Sequence, residues 1–244
     1  MGVERVMDGV HIVPMGMANA YLIEDDEGLT LIDAGFPKKE VTVFDAIRRL
    51  GFSPDRLKHL IFTHGHLDHI GSAAPIVQET GARTYMHPLD IPTAESGGPF
   101  RPMTPAPGPL RQIIFRLFFD PGQRAEPVAI DQPLTDGEVP PIAGGIEVIH
   151  VPGHCAGQVA LLCRPGRMLF VGDVCMNVMG LGDPFGFENL SEGRSSQRKL
   201  ASLSFDAAGF VRGKPIARDA SAQFRNRRGN ESSASPATTL RPAA

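Results

Sequence analysis

The stretch Thr63-His64-Gly65-His66-Leu67-Asp68-His69 places three imidazoles and one carboxylate within seven residues. It directly follows residues 57–62, whose apolar side chains predict a buried strand. On a helix, the side chains of His64 and His66 would diverge by about 200 degrees and could not share an ion. The run therefore predicts ligands on the loop that leaves a strand, before a helix that begins near Gly71, at a place where scaffolds often carry reactive groups.

The residue types in this run indicate a metal site. Imidazole and carboxylate suit zinc, iron, manganese or nickel, and the lack of a thiolate argues against a structural zinc site of the Cys type. The alternative is that the histidines lie on the surface with no shared role. Four candidate ligands in six positions, directly after an apolar strand, favour the metal site.

Size and composition favour a globular protein acting on a small molecule. The chain has 244 residues, 42% of them hydrophobic and 21% charged, which fits one sizeable domain or two small ones. A net charge of -3 predicts no nucleic-acid partner. Three cysteines are too few for a disulfide framework and favour a reducing compartment. Neither a signal-peptide pattern nor an apolar run of the required roughly 20 residues is visible, so we expect a cytoplasmic protein without a membrane partner.

Short apolar runs separated by turn-forming residues predict a mixed fold. Strands are predicted at 10–13, 20–23, 29–32, 57–62, 83–87, 145–151, 158–163, 167–171 and 207–211. Helices are predicted at 37–50, 72–79, 195–203 and 216–227. This order predicts an α+β fold with two sheets covered by helices on the outside. The domain is expected to span residues 1–228, followed by a disordered tail at 229–244, which holds few large apolar residues.

Residues 88–127 are rich in proline and predict a largely irregular insertion. Within it, one helical pattern of apolar residues is visible, formed by Leu110, Ile113, Ile114, Leu117 and Phe118 and widened by Phe115 and Phe119. This helix either packs on the core or forms a lid over the site or a dimer contact, because long insertions in compact domains tend to be functional. A homodimer is therefore an open alternative.

Two later strands end in polar clusters of the same design. Pro152-Gly153-His154 follows the strand predicted at 145–151, and Gly172-Asp173 follows the strand at 167–171. A single His or Asp at a strand end is more often structural than a ligand. The histidine-rich run, however, needs further donors, so His154 and Asp173 become candidates to complete its coordination sphere.

Taken in this order, the three motifs resemble those of the metallo-β-lactamase superfamily, which includes glyoxalase II, lactonases and β-lactamases. The resemblance extends to Asn19-Ala20-Tyr21-Leu22-Ile23 and Leu31-Ile32-Asp33-Ala34-Gly35, and covers the chain to about residue 225. It implies a four-layer αββα sandwich with the site at one edge of two facing sheets.

The resemblance also implies a metal centre and a reaction. It assigns three imidazoles to a first ion: His64, His66 and His154. It assigns Asp68 and His69 to a second ion, and Asp173 to both. The implied cofactor is zinc, as one or two ions, with iron or manganese as alternatives. A metal-bound hydroxide would attack a small ester, thioester, lactone or amide, and Asp68, the candidate catalytic residue, would orient it.

One position departs from the family pattern. The family usually closes its second metal site with a histidine in a Gly-His-Gly turn after a late strand, whereas this chain has Val211-Arg212-Gly213 there. No histidine follows His154. Arginine stays protonated and has no lone pair to give to a metal.

Several interpretations of Arg212 stay open at the level of sequence. One ion suffices, or a second ion is held more weakly, or catalysis is impaired and only metal binding remains. A mononuclear iron enzyme like the persulfide dioxygenases of the superfamily is a further alternative. Arg212 itself is either a substrate-binding residue that contacts an anionic carboxylate or a solvated loop residue.

Overall fold

A computed structural model describes residues 2–120 and 122–233. Within them the strands are β1 (Glu4–Met7), β2 (Val10–Pro14), β3 (Asn19–Glu24), β4 (Leu29–Ile32), β5 (Leu57–Ile61), β6 (Arg83–Met86), β7 (Thr104–Pro105), β8 (Gln132–Pro133), β9 (Ile146–His150), β10 (Val159–Cys163), β11 (Met168–Phe170), β12 (Met176–Asn177), β13 (Leu181–Gly182), β14 (Gly186–Phe187) and β15 (Ala207–Gly209). The α-helices are α1 (Glu40–Arg49), α2 (Leu67–Ile70), α3 (Ala73–Thr80), α4 (Ile91–Ser96), α5 (Pro109–Phe118), α6 (Leu190–Ser202) and α7 (Ala220–Ser233).

Two main sheets face each other. The larger has the strand order β1-β2-β3-β4-β5-β6-β8, antiparallel from β1 to β4 and parallel from β4 to β8. The smaller has the order β15-β11-β10-β9, with β15 parallel to β11 and the other pairs antiparallel. Since parallel strands present their carboxyl ends at one edge, the loops after β4 and β5 lie side by side.

Alternating side chains divide the core into three layers of apolar contact. Leu31 and Leu60 pack with residues of α1 and α3, whereas the next residues along their strands, Ile32 and Ile61, pack against the smaller sheet. The outer face of the smaller sheet packs against α6 and α7. Successive side chains of a strand point to opposite faces, so both sheets are buried on both sides. The result is the predicted αββα sandwich.

The predicted strands are present, but several helix boundaries were wrong. The first helix begins at Glu40 rather than near Pro37, because Lys38 adopts a left-handed φ of 66°. The helix predicted to begin near Gly71 is preceded by the short α2, so Asp68 and His69 lie on a helical turn rather than on a loop. The sixth helix begins at Leu190, where the Asn189 side chain accepts hydrogen bonds from two backbone N–H groups.

The last helix also differs from its prediction at 216–227. It begins at Ala220, since Ile216 instead pairs with Ala208 beside β15. It continues to Ser233, five residues into the tail predicted to be disordered, and residues 234–244 lie outside the described residues. In the part of the chain that the structure describes, no helix is both long and apolar enough to cross a membrane.

The proline-rich insertion pairs with a short strand that precedes α6. Its strand β7 pairs with β14, where Pro105 lies opposite Gly186 and Thr104 opposite Phe187. The following helix, α5, does not bury the face that its sequence pattern predicts. Leu110, Ile113 and Leu117 are 56–72% exposed. The pattern misleads because apolar residues surround most of this helix, and only one side of it meets the protein.

Candidate metal centre

Polar side chains from both sheets converge at one edge of the sandwich. The larger sheet contributes the residues that follow β5, and the smaller sheet contributes those that follow β9 and β11. The turn after β15 adds Arg212. All six predicted ligands are buried, namely His64, His66, Asp68, His69, His154 and Asp173. The structure therefore brings together residues that lie more than a hundred positions apart in sequence.

Three imidazoles face a common point. His64 Nε2 lies 3.0 Å from His66 Nδ1, which in turn lies 3.1 Å from His154 Nε2. The second nitrogen of His154 contacts the Gly186 carbonyl oxygen at 2.8 Å, which fixes the orientation of the ring. Nitrogen atoms grouped in this way are suited to share one metal ion.

A second group of ligand atoms adjoins the first. The nearest ligand atoms of His64, His69 and Asp173 all lie within 4.8 Å of one another. His69 Nε2 is 3.5 Å from Asp68 Oδ2 and 3.8 Å from Asp173 Oδ1. Asp173 also reaches the first group, since its Oδ2 lies 3.6 Å from His154 Nε2. Asp173 thus stands between the two groups.

Unsatisfied buried atoms support a metal ion at this place. Among the described residues, His69 Nε2 and Asp173 Oδ1 are buried without a hydrogen-bond partner. Buried polar atoms normally have partners, and a missing ion is one reason for an exception. The donor set of imidazole nitrogen and carboxylate oxygen fits a divalent transition metal.

Burial keeps the first three imidazoles neutral. It lowers the pKa of His64 well below the usual value and that of His66 to about 3, and the neighbouring imidazoles add to both shifts. Burial also lowers the pKa of His154, although the Asp173 carboxylate opposes this. Neutral imidazoles have the free lone pair that a metal requires.

His69 has a different electrostatic environment. Burial disfavours its charged form, but the carboxylates of Asp33 and Asp68 outweigh burial and raise its pKa well above the usual value. Asp33 lies 3.0 Å from His69 Nδ1 and accepts a hydrogen bond of 2.8 Å from the Thr63 backbone N–H. Asp33 therefore holds both the start of the histidine-rich run and the ring of its last member.

The Arg212 guanidinium lies directly beside the two carboxylates. It forms an ion pair with Asp68, places its Nε 3.7 Å from Asp173 Oδ2 and donates a 3.1 Å hydrogen bond to the Met17 carbonyl. Its carbon Cζ lies 5.5 Å from the centre of the Phe185 ring. Arg212 is thus part of the site and not a solvated loop residue.

Two residues of the larger sheet fix the segment that carries Arg212. The Tyr21 hydroxyl donates to the Phe210 carbonyl oxygen and accepts from the Phe210 N–H. The Asn19 side chain donates to the carbonyl oxygens of Phe210 and Gly213, at 3.1 and 2.9 Å. Through these contacts, the segment that contains Asn19 and Tyr21 positions the turn after β15.

Ion pairing keeps the two carboxylates charged. Burial opposes ionisation of Asp68 and Asp173, but Arg212 and His69 outweigh it. The pKa of Asp68 is held well below its usual range and that of Asp173 falls to about 2. The same carboxylates raise the pKa of Arg212 against the effect of burial, so its charge is permanent.

The sequence did not reveal Asp90, which connects the loops that carry the ligands. Its carboxylate accepts hydrogen bonds from the N–H groups of Gly65 and Gly157, at 2.9 and 3.1 Å, and from the Cys155 thiol at 3.0 Å. It also forms an ion pair with Arg101 of the insertion. The available signal was its position shortly after β6, a further parallel strand whose carboxyl end lies at the same edge.

A cavity of about 430 Å³ opens over the centre. Its floor includes His66, Asp68, His154, Asp173 and Arg212. Its walls are largely apolar and include Ile114 and Phe115 of α5 and the nearby Phe119. The inner side chains of the insertion helix therefore line the cavity over the centre.

Several curated proteins have sequences similar to that of this chain. A probable metallo-hydrolase of Bacillus subtilis, YflN, is 31% identical over 175 residues, which cover 70% of this chain and 65% of YflN. Hydroxyacylglutathione hydrolase GloC of Haemophilus influenzae is 27% identical over 68% of this chain and 71% of its own length. The chain spans 65% and 60% of the first two such relatives, YflN and YobT of B. subtilis.

Solved structures agree on the fold. A β-lactamase from Chitinophaga pinensis matches with a TM-score of 0.72 at 19% identity, covering 96% of this chain and 92% of its own. BJP-1, a subclass B3 metallo-β-lactamase of Bradyrhizobium japonicum, matches with a TM-score of 0.71 at 21% identity, covering 96% and 91%. The family model of the metallo-β-lactamase superfamily matches residues 13–201. The chain belongs to the metallo-β-lactamase superfamily.

Proposed function

We propose that this protein is a metal-dependent hydrolase acting on a small ester, thioester, lactone or amide. The observation that carries the proposal is the grouping of three neutral imidazoles and the Asp173 carboxylate at the floor of an open cavity. The names of YflN, a probable metallo-hydrolase, and GloC, a hydroxyacylglutathione hydrolase, support the same reaction class.

The chain's own residues account for most of the chemistry. His64, His66, His154 and Asp173 would hold the metal ion, for which zinc fits the donors best. A bound ion of this kind lowers the pKa of water and polarises a carbonyl group. Asp68, kept ionised by Arg212, accepts a hydrogen bond from the attacking water and so orients it. Water adds to the acyl carbon, the bond to the leaving oxygen, sulfur or nitrogen breaks, and the leaving group takes a proton.

The proposed centre holds one resident ion. Asp68 and Asp173, which a second ion would need, are already paired with the Arg212 guanidinium. Arginine cannot ligate a metal, and its permanent charge repels a second cation at this distance. Arg212 therefore supplies, as a fixed organic cation, the positive charge that a second ion would bring. The chain has three cysteines, too few for a disulfide framework, which supports a reducing, cytoplasmic setting.

The first test compares wild type with His64→Ala. We expect wild type to contain zinc by elemental analysis and to hydrolyse members of a panel of esters, thioesters, lactones and amides. His64→Ala should lose at least about 100-fold in kcat/KM, since it removes a ligand of the ion. His59→Ala, on the preceding strand and outside the centre, is the matched control and should keep its activity. Full activity in the presence of a strong chelator would contradict the proposal.

The second test concerns the number of ions. We expect a metal-to-protein ratio near one in wild type and near two in Arg212→His, because an imidazole at 212 adds a ligand and removes a charge. Arg212→Met removes the charge without adding a ligand, so its ratio should stay near one. A ratio near two in wild type would overturn the single-ion centre, and iron in place of zinc would favour the dioxygenase alternative.

A second candidate function follows from the same arginine. In this candidate, the ion pair between Arg212 and Asp68 blocks catalysis, and the chain binds metal without turnover. Metal-loaded wild type that fails on the whole panel, together with activity in Arg212→His, would select this candidate over the hydrolase.

A further inference from the structure

The cavity over the centre is polar mainly at its floor. Its walls are formed largely by apolar side chains from several parts of the chain, among them Phe36, Phe100, Ile114, Phe115, Phe119 and Phe185. A volume of about 430 Å³ lies in the range of small-molecule sites, roughly 300 to 1,000 Å³. Most of what binds here must therefore be apolar.

The aromatic wall is built into the metal centre. The ring of Phe115 stacks on that of Phe119, with centroids 4.6 Å apart and planes at 18°. A side chain at Gly186 would place its Cβ 2.4 Å from Phe115 Cε2, so only glycine leaves room for this ring. The carbonyl oxygen of Gly186 contacts His154. Gly186 thus contacts both the aromatic wall and His154, and so fixes the distance between them.

The charges around the cavity disfavour an anionic substrate tail. Among the described lining residues, Arg212 is the one Lys or Arg side chain, and it is already paired with Asp68. Asp120 adds an exposed carboxylate to the lining. A carboxylate on the substrate tail would lose its water among aromatic rings without gaining a free cation.

We infer that the cavity binds the acyl part of the substrate and selects an uncharged, apolar acyl chain. This inference rests on the proposed hydrolase function, because it assumes that the scissile carbonyl sits at the metal centre. Phe115 and Phe119 are then specificity-determining residues. Each methylene buried against them should improve binding about fourfold until the cavity is filled.

The test uses matched substrates and matched variants on one helix. Wild type, Phe115→Ala and Leu117→Ala are assayed with p-nitrophenyl acetate, butyrate, hexanoate and octanoate. Leu117 lies on the same helix but is 72% exposed and outside the cavity lining. We expect kcat/KM of wild type to rise at least about tenfold from acetyl to octanoyl. Phe115→Ala should flatten this rise, whereas Leu117→Ala should keep it.

A binding measurement separates this inference from the reaction itself. Calorimetry with acetohydroxamic acid, octanohydroxamic acid and an eight-carbon hydroxamic acid ending in a carboxylate needs no turnover. We expect octanohydroxamic acid to bind at least about tenfold more tightly than either of the others. Equal affinities would overturn the inference even if esters are hydrolysed. Chain-length selection in binding without hydrolysis of any substrate would support apolar selection by the cavity and overturn the proposed function.

Discussion

Asp90 is not one of the candidate metal ligands, yet it connects the two loops that carry the imidazole ligands. It is fully buried, and Arg101 balances its charge. Burial opposes its ionisation, but Arg101 and the donated hydrogen bonds prevail and lower its pKa. Arg101 in turn reaches Glu188, which accepts the Ala156 N–H at 2.8 Å. A single carboxylate thus aligns residues that precede and follow the insertion.

Asp90→Asn should destabilise the protein in a pH-dependent way. At pH 7 and with chelator present, we expect a loss of about 2 to 3 kcal/mol in the free energy of unfolding, because charged hydrogen bonds are lost. The lowered pKa means that the contribution is complete above the unfolded value, about 3.9, and disappears as pH falls through the folded value. The difference between the two proteins in urea titrations should therefore be constant above about pH 4 and should shrink only as pH falls below it.

Asp45→Asn is the matched control for this substitution. Its carboxylate forms an exposed pair with Arg48 at 3.1 Å, and such pairs contribute little. Its effect should stay within about 1 kcal/mol at every pH. A gap between wild type and Asp90→Asn that widens on acidification would contradict the assigned charge of Asp90.

Among the elements, α6 sets the position of His154. The turn after β9 lies against the helix so closely that a Cβ on Gly153 would be 2.0 Å from the Gly193 backbone nitrogen. The Gly153 carbonyl accepts a 2.8 Å hydrogen bond from the N–H of Asn189, the residue that caps the helix. Gly153 also has a φ of 125°, in the left-handed region. Helix and ligand loop are therefore one packed unit.

Gly153→Ala should damage both stability and metal binding. We expect a loss of at least about 3 kcal/mol, because backbone overlap adds to the strained φ, together with weaker zinc binding as His154 moves. Gly51→Ala has a similar positive φ of 87° but no atom within 4 Å of the new Cβ, so it should cost about 1 kcal/mol and leave zinc affinity unchanged. Urea denaturation and zinc titration measure both effects. Equal losses in the two variants would show that packing against α6 is unimportant.

The sequence predicted the strands and helices best where the local pattern of apolar and polar residues determines them. The buried strands and the polar clusters at their ends followed from apolar runs and polar endings, so the sequence named the residues that the structure brings together at the candidate centre. Helix boundaries failed where a cap or a tertiary pairing intervened, as at Asn189 and Ile216. The buried face of α5 and the role of Asp90 depend on contacts between distant segments, which no local pattern records.

For the whole molecule, the candidate ligands unite two halves of the chain. His64 and His66 follow a strand of the larger sheet, whereas His154 and Asp173 follow strands of the smaller one. An ion held by all four favours the state in which both sheets are docked. Its binding free energy adds to the stability of the entire sandwich, by about 4 kcal/mol at a free concentration one thousandfold above Kd.

The division of the strands between the sheets also makes the chain separable. All strands of the larger sheet precede Gly137 in sequence and all strands of the smaller sheet follow it, and a Cβ added at Gly137 would have no atom within 4 Å. A break at that turn would yield two polypeptides, each with only part of the ligand set. Binding of zinc by the mixture would then report whether the two polypeptides reassemble.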